Sequence, residues 1–379
     1  MINLQFPSSE ALSGQLSRES MDTVREGYVK GGAEFEPEGG AQNAMQSYVH
    51  TQAVADKTVA DCVEAIIGTY LLSGGIQGAI KVIEWMGILP TKDSFSELLH
   101  KKVSPLVTDQ TATISDIDYL LSHSRTDVET ILNYKFNDPS FLLEALSHSS
   151  YIRNRLTRSY ERLEFLGDAV LDFLITSHIY ENCCELKPGE MTDLRSALVN
   201  NVTFASYIVK LGLHKFLCSE LNATLSKAII MFVDHQTQRD HVIVEDVLYL
   251  IDEEECQMAE YVEVPKVLSD MFEALVGAIY LDSGGDLKLV WSVIYRIMHE
   301  EIHSFSYRIP QQPVKVLYER IHACPMFGKA IVIDPDLPKI KVSVTITKND
   351  RQHTVFGIGR NKSQAKRAAA KVALKVLSL

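Results

Sequence analysis

Four acidic side chains, Glu161, Glu164, Asp168 and Asp172, follow one another at spacings of three, four and four. On a helix those spacings put them along one face, with Leu163, Phe165, Leu166, Val170 and Leu171 supplying apolar surface around them. A solvated helix face usually mixes lysines with its acids to offset their repulsion. Here Arg162 is the one basic residue in the stretch. Stacked carboxylates of this kind are tolerated when a divalent cation neutralises them. A second pair, Asp270 and Glu273, stands three residues apart in another apolar stretch. Oxygen ligands without His or Cys favour Mg²⁺ or Mn²⁺ over zinc. Four carboxylates from two helices, Glu164, Asp168, Asp270 and Glu273, can hold metal that activates water and stabilises a phosphoryl transition state. Lys266, four residues before Asp270, is within reach of that face and is a candidate contact for the scissile phosphate.

The elements that must carry these residues are helical. A long helical region is predicted from Val128 to about Leu217, broken at 137–139, near Arg158, and at 187–189. Residues 218–265 read as an irregular insert with the acidic run Asp252 to Glu255, and helix resumes from Val267 to about Phe305. Residues 1–53, rich in Gly, Ser and Glu, read as loop. Residues 54–89 read as two helices separated at Gly74-Gly75, and 90–127 as a linker with short helices. The stretch Val59 to Gly68 echoes Leu268 to Gly277, so that Asp61 and Glu64 fall in phase with Asp270 and Glu273; each copy is followed by a Tyr and then Ser-Gly-Gly. His148 and Asn200 read as structural residues, the latter with Asn201 as a cap or core hydrogen-bonding pair.

The last segment differs in charge. The whole chain has a formal net charge of −12 over 379 residues, but residues 312–379 hold 13 Lys and Arg against 4 Asp and Glu. A basic end on an acidic body points to a polyanion partner for that end. Its pattern is a helix over 314–323, β-rich runs over 329–333, 339–347 and 353–359, and a helix over 363–377. Duplex RNA hides its base edges in a narrow groove, so a protein reads its phosphates and 2′-hydroxyls by shape. Lys362, Lys366 and Arg367 at the start of the last helix are the candidate phosphate contacts, and the alanines between them permit close packing on a sheet. The six cysteines form no C-x-x-C pair and no zinc spacing, as expected of thiols in a reducing cytoplasm. No signal-peptide pattern and no apolar run of ~18 residues stands out, so no membrane association is expected.

The octet Glu161-Arg162-Leu163-Glu164-Phe165-Leu166-Gly167-Asp168 matches the ribonuclease III signature at every position, and Asp270-x-x-Glu273 fits the second half of that site. The chain resembles that family over 128–308, as a complete domain. The resemblance implies a mainly α protein: an all-helical ribonuclease III endonuclease domain followed, over 312–379, by a small α-β-β-β-α double-stranded-RNA-binding domain. It also implies that Glu164, Asp168, Asp270 and Glu273 bind the metal, that Glu161 has a structural or dimer-contact role, and that two such domains pair. Each then cuts one strand of double-stranded RNA, leaving two-nucleotide 3′ overhangs. Residues 54–89 resemble the tail of another such domain, with Asp61 and Glu64 as its second metal pair and the remainder of that domain as an intramolecular pseudo-dimer partner. Two tandem domains, an RNA-binding domain and the insert resemble the C-terminal end of the Dicer family, with the small-interfering-RNA type of insects the nearest in pattern. A double-stranded-RNA-binding cofactor protein is a further implied partner. Glu319 matches the family's RNA-contacting acid in the first helix. Ser363 departs from the usual Lys-Lys-x-Ala-Lys, and 334–338 lacks the usual Gly-Pro-x-His, which implies weaker RNA binding and a share of protein contacts. The rival reading is a silent ribonuclease III-like scaffold that binds duplex RNA or a partner protein.

Overall fold

A computed structural model of the chain describes residues 56–88, 113–244, 263–320, 324–334, 339–348 and 351–378. The expected loop over 1–53, the acidic run over 252–255 and the loop over 335–338 lie outside the described residues, as does 90–112 of the expected linker. The chain divides into two compact units, 1–101 and 102–379.

In the first unit the described element is helix α1, Asp56–Trp85. Gly75 interrupts it with φ 64° and ψ −167°, a conformation open to a residue without a Cβ, so two helices meet at a kink where the Gly-Gly pair predicted a break. By length and composition alone α1 is long and apolar enough to cross a membrane. It also carries Asp61 and Glu64 in its first half. Only Ala79, Ile80 and Val82 of α1 are buried.

The second unit begins with α2 (Ile114–Leu120) and α3 (Arg125–Leu132). The first lies within the stretch expected to hold short helices, and the second begins there. Thr113 and Asp116 form a reciprocal capping box, and Ile117, Leu121, Val128 and Leu132 enter the main core. There follow α4 (Pro139–Leu146), α5 (Glu161–Asn182), α6 (Pro188–Leu198) and α7 (Asn201–Lys210). Asp138 caps α4, with Pro139 at the first helical position. Helix α8, Ala223–Gln238, corrects the irregular reading of the insert: Asn222 caps it, and Ala228, Phe232 and Gln236 bury a stripe at intervals of four. Helices α9 (Lys266–Asp282) and α10 (Leu287–Tyr307) complete the helical part.

The centre of this part is the crossing of α5 and α9. Helix α9 is buried from Val267 to Ile279 without a break, and Phe272 stacks on Phe204 of α7 with ring centroids 5.0 Å apart. Gly167 on α5 and Gly277 on α9 let the two backbones meet. A Cβ at Gly167 would collide with the Glu273 carbonyl oxygen, and one at Gly277 with the Leu163 carbonyl oxygen. No side chain separates the helices there, so acids one turn away on each helix are drawn together.

The C-terminal part has α11 (Pro313–Glu319), strands β1 (Met326–Phe327), β2 (Ile331–Asp334), β3 (Lys339–Lys348) and β4 (Arg351–Gly359), and α12 (Lys362–Ser378). Strand β3 is central: β1 and β2 pair antiparallel along one side of it and β4 along the other, with Val344 opposite Val355. Val344 and Ile346 of the sheet pack against Ala369, Ala370 and Ala373 of α12 and Val314 and Leu317 of α11 to make a second core.

This small domain rests on the helical part through ion pairs. Lys315 of α11 meets Asp193 of α6 at 2.5 Å, and Arg360 meets Glu263 at 2.5 Å.

Candidate metal centre

Helix α5 presents Glu164 one turn before Gly167, and α9 presents Asp270 and Glu273 before Gly277. The close crossing brings one carboxylate oxygen from each of Glu164, Asp270 and Glu273 within 4.8 Å of one another. Asp270 is 6% and Glu273 8% exposed, so both carboxylates are largely withdrawn from water. Burial, then the charges of Asp168, Asp270 and Glu164, push the Glu273 carboxyl up to about 8. Burial raises Asp270 as well, with Lys266 pulling the other way. Such a cluster is short of positive charge, and its hard oxygen donors suit Mg²⁺ or Mn²⁺.

Lys266 supplies part of that charge. Its Nζ donates to Glu164 Oε1 at 2.8 Å and to Asp270 Oδ1 at 2.7 Å. Burial works against its charge, but these two bonds prevail and hold the ammonium above the usual lysine range. The sequence placed Lys266 near the metal face as a phosphate contact; the structure places it on the carboxylates themselves.

Asp168 stands apart from the three. It is exposed and outside the 4.8 Å group, yet its charge acts on Glu273. At the two ends of the row the acids have partners outside the centre: Glu161 accepts a bond from Ser159 Oγ, and Asp172 pairs with Arg195 at 3.4 Å. His148, read from the sequence as structural, is held by local contacts. Its Nδ1 accepts the Ser150 amide at 3.1 Å, and its ring lies 5.8 Å from that of Tyr160. Asn200 caps α7 by accepting the Val202 and Thr203 amides at 3.0 Å.

Tyr160 was missed by the sequence reading. It immediately precedes α5, is 4% exposed, and its hydroxyl donates to Asp270 Oδ2 at 3.3 Å. Burial, followed by the charges of Asp270, Glu164 and Glu161, holds its phenol protonated well above the ordinary tyrosine range. Its adjacency to the signature was the available signal. Also missed was the length of the echo in α1. Lys57, Asp61, Glu64 and Gly68 repeat the spacing of Lys266, Asp270, Glu273 and Gly277. Lys57 pairs with Asp61 at 3.1 Å, but both are exposed, and a Cβ at Gly68 would meet nothing within 4 Å among the described residues.

On the C-terminal domain, Lys362 is exposed at the start of α12. Lys366 lies over the Phe327 ring at 4.5 Å and the Tyr318 ring at 5.8 Å, so its ammonium shares an edge with aromatic faces. Glu319 is exposed and stands 3.8 Å from Lys315. Arg367 does not share the free edge expected of it. It lines a cavity of about 460 Å³ with Asp193, Ser196, Asn200 and Gln312, facing the helical part.

A model of the ribonuclease III domain matches residues 161–284, and one of the Dicer double-stranded-RNA-binding domain matches 290–379. Endoribonuclease Dcr-1 of Drosophila melanogaster is 40% identical over 90% of this chain and 17% of its own length. Endoribonuclease Dicer of Gallus gallus is 36% identical over 87% of this chain and 19% of its own. Endoribonuclease dcr-1 of Caenorhabditis elegans is 38% identical over 86% and 17%. The nuclease domain of ribonuclease III from Campylobacter jejuni aligns over 46% of this chain and 94% of its own, with 26% identity and a TM-score of 0.32. The chain thus spans under a fifth of the length of these three curated relatives.

Proposed function

We propose, from the premise that the chain belongs to the Dicer-type ribonuclease III family, that it is the part of a Dicer that cuts double-stranded RNA in the presence of a divalent metal. The observation that carries this reading is the meeting of Glu164, Asp270 and Glu273 from two helices within 4.8 Å. Those three would hold Mg²⁺ or Mn²⁺, with Asp168 completing the set beside Glu273. A metal bound there supplies an activated water and offsets charge on the phosphoryl group. Lys266 bridges Glu164 and Asp270 and would turn from them toward a scissile phosphate.

The remaining details follow the family reading. Two ribonuclease domains pair, each cuts one strand, and short duplexes with two-nucleotide 3′ overhangs result. Phe165, 83% exposed on α5, offers an apolar contact for such a pairing. Asp61 and Glu64 would form half of the second centre, and the rest of that domain would complete it. Lys362, Lys366 and Glu319 are the RNA contacts of the C-terminal domain, with Arg367 turned toward the nuclease. A double-stranded-RNA-binding cofactor protein and a cytoplasmic location belong to the same reading.

The test is direct. Long duplex RNA incubated with the protein and Mg²⁺ is cut by wild type and spared by Asp270→Ala at the Glu164 centre. If both leave the RNA equally intact while both bind it, the chain is a silent scaffold.

A further inference from the structure

We infer that Tyr160 positions the Asp270 carboxylate for metal, a role that rests on the metal reading above. The two oxygens of Asp270 have different partners. Oδ1 accepts from Lys266 at 2.7 Å, the same ammonium that donates to Glu164 Oε1, and lies 3.4 Å from Ser269 Oγ. Oδ2 accepts from the Tyr160 hydroxyl at 3.3 Å. A carboxylate with one oxygen tied by a fixed hydroxyl is held in one orientation, and such outer partners tune affinity for the ion.

Tyr160 is itself held from three directions. Its backbone amide donates to the Ser147 carbonyl at 3.0 Å, its carbonyl accepts the Glu164 amide at 2.9 Å, and its ring packs near His148. The residue therefore reaches both halves of the centre, Glu164 through the first turn of α5 and Asp270 across to α9.

The experiment is a Mn²⁺ titration of the full chain followed by electron paramagnetic resonance, on wild type, Tyr160→Phe, Asp270→Ala and Tyr207→Phe. Tyr207 is a control for loss of a buried phenol bond away from the metal face: its hydroxyl donates to Glu301 at 3.0 Å. Tyr160→Phe keeps the ring and removes the donor. The expected result is roughly 10-fold weaker Mn²⁺ binding in Tyr160→Phe, with Tyr207→Phe unchanged. In RNA cleavage, Tyr160→Phe then needs more metal for half-maximal rate and recovers at saturating metal. Wild-type affinity in Tyr160→Phe overturns the role of Tyr160 and leaves the metal centre standing. Equal weakening in both phenol variants reduces the effect to general loosening and also overturns it. A wild type that binds Mn²⁺ no better than Asp270→Ala overturns the centre, and this role with it.

Discussion

Helices α1 and α9 carry the same four residue types at the same spacing, Lys, Asp, Glu and Gly, and their surroundings differ in every respect that matters for chemistry. Each aspartate pairs with the lysine four residues before it, but on α9 its side chain is 9% exposed and lies beside Glu164 of α5, whereas on α1 it is 56% exposed. A carboxylate pair is a motif in the chain, but it is a candidate ion site only where a second helix supplies another acid and excludes water. The glycine makes the difference visible: at 277 a methyl group would strike a neighbouring backbone, and at 68 it would meet nothing among the described residues.

The largest expected effect tests that contrast on activity. Asp270→Ala should slow cleavage at the Glu164 centre on the order of a thousandfold, the equivalent of several kcal/mol of lost transition-state stabilisation. Asp61→Ala should leave that cut unchanged. In a protein with both centres complete, each variant should spare one strand only, which denaturing gels of end-labelled duplexes would reveal. Loss of both cuts on mutating Asp270 alone would break the comparison.

Next in size is the backbone contact. Gly277→Ala should destabilise the nuclease domain by about 3 kcal/mol, because the obstacle is backbone and cannot swing aside. Gly68→Ala should be neutral or raise helix stability by up to about 1 kcal/mol. Thermal unfolding followed by circular dichroism measures both, and equal effects at the two glycines would show that α1 is as tightly packed as α9.

The buried acid predicts a pH dependence. Glu273 ionises at about 8 in the fold against an ordinary value of 4.5, so between those values the folded state holds a proton that the unfolded state has released. Metal-free stability should therefore fall as pH rises from about 5 to about 8. Glu273→Gln should abolish its share of the decline, and added Mg²⁺ should oppose it in the parent. Denaturant midpoints across that range that are flat and identical in parent and variant would contradict the burial of this carboxyl.

The smallest effect expected is on RNA affinity. Lys362→Ala should weaken duplex binding by a few fold and lessen its salt dependence, whereas Arg367→Ala, on the nuclease-facing side, should change it less. Filter binding at two salt concentrations distinguishes them, and the reverse order would place Arg367 on the RNA.

The nuclease half was legible because its chemistry is local in sequence. The spacing of Glu161, Glu164, Asp168 and Asp172 gave a helix, and Asp270 and Glu273 gave its counterpart. Which acids converge was not legible, since that depends on how α5 and α9 cross, which leaves Asp168 outside the close group and sets Lys266 on Glu164 and Asp270. Residues 113–127 read as linker because Ser, Thr and Asp dominate them; the buried positions Ile117 and Leu121 are few and are recognisable only once a core receives them. Helix α8 was hidden for a similar reason, its inner stripe ending in a buried glutamine. Lys315 and Arg360 counted toward the basic end without any sign that they face acids elsewhere in the chain.

Those two cations have a consequence for salt. Residues 312–379 carry a surplus of nine positive charges in the sequence, but Lys315 and Arg360 are already matched by Asp193 and Glu263. The charge left to displace counterions from a duplex is therefore smaller than the composition implies. Raising ionic strength weakens the grip on RNA and the seating of the small domain on the nuclease together, so a salt titration of this protein reports two equilibria at once.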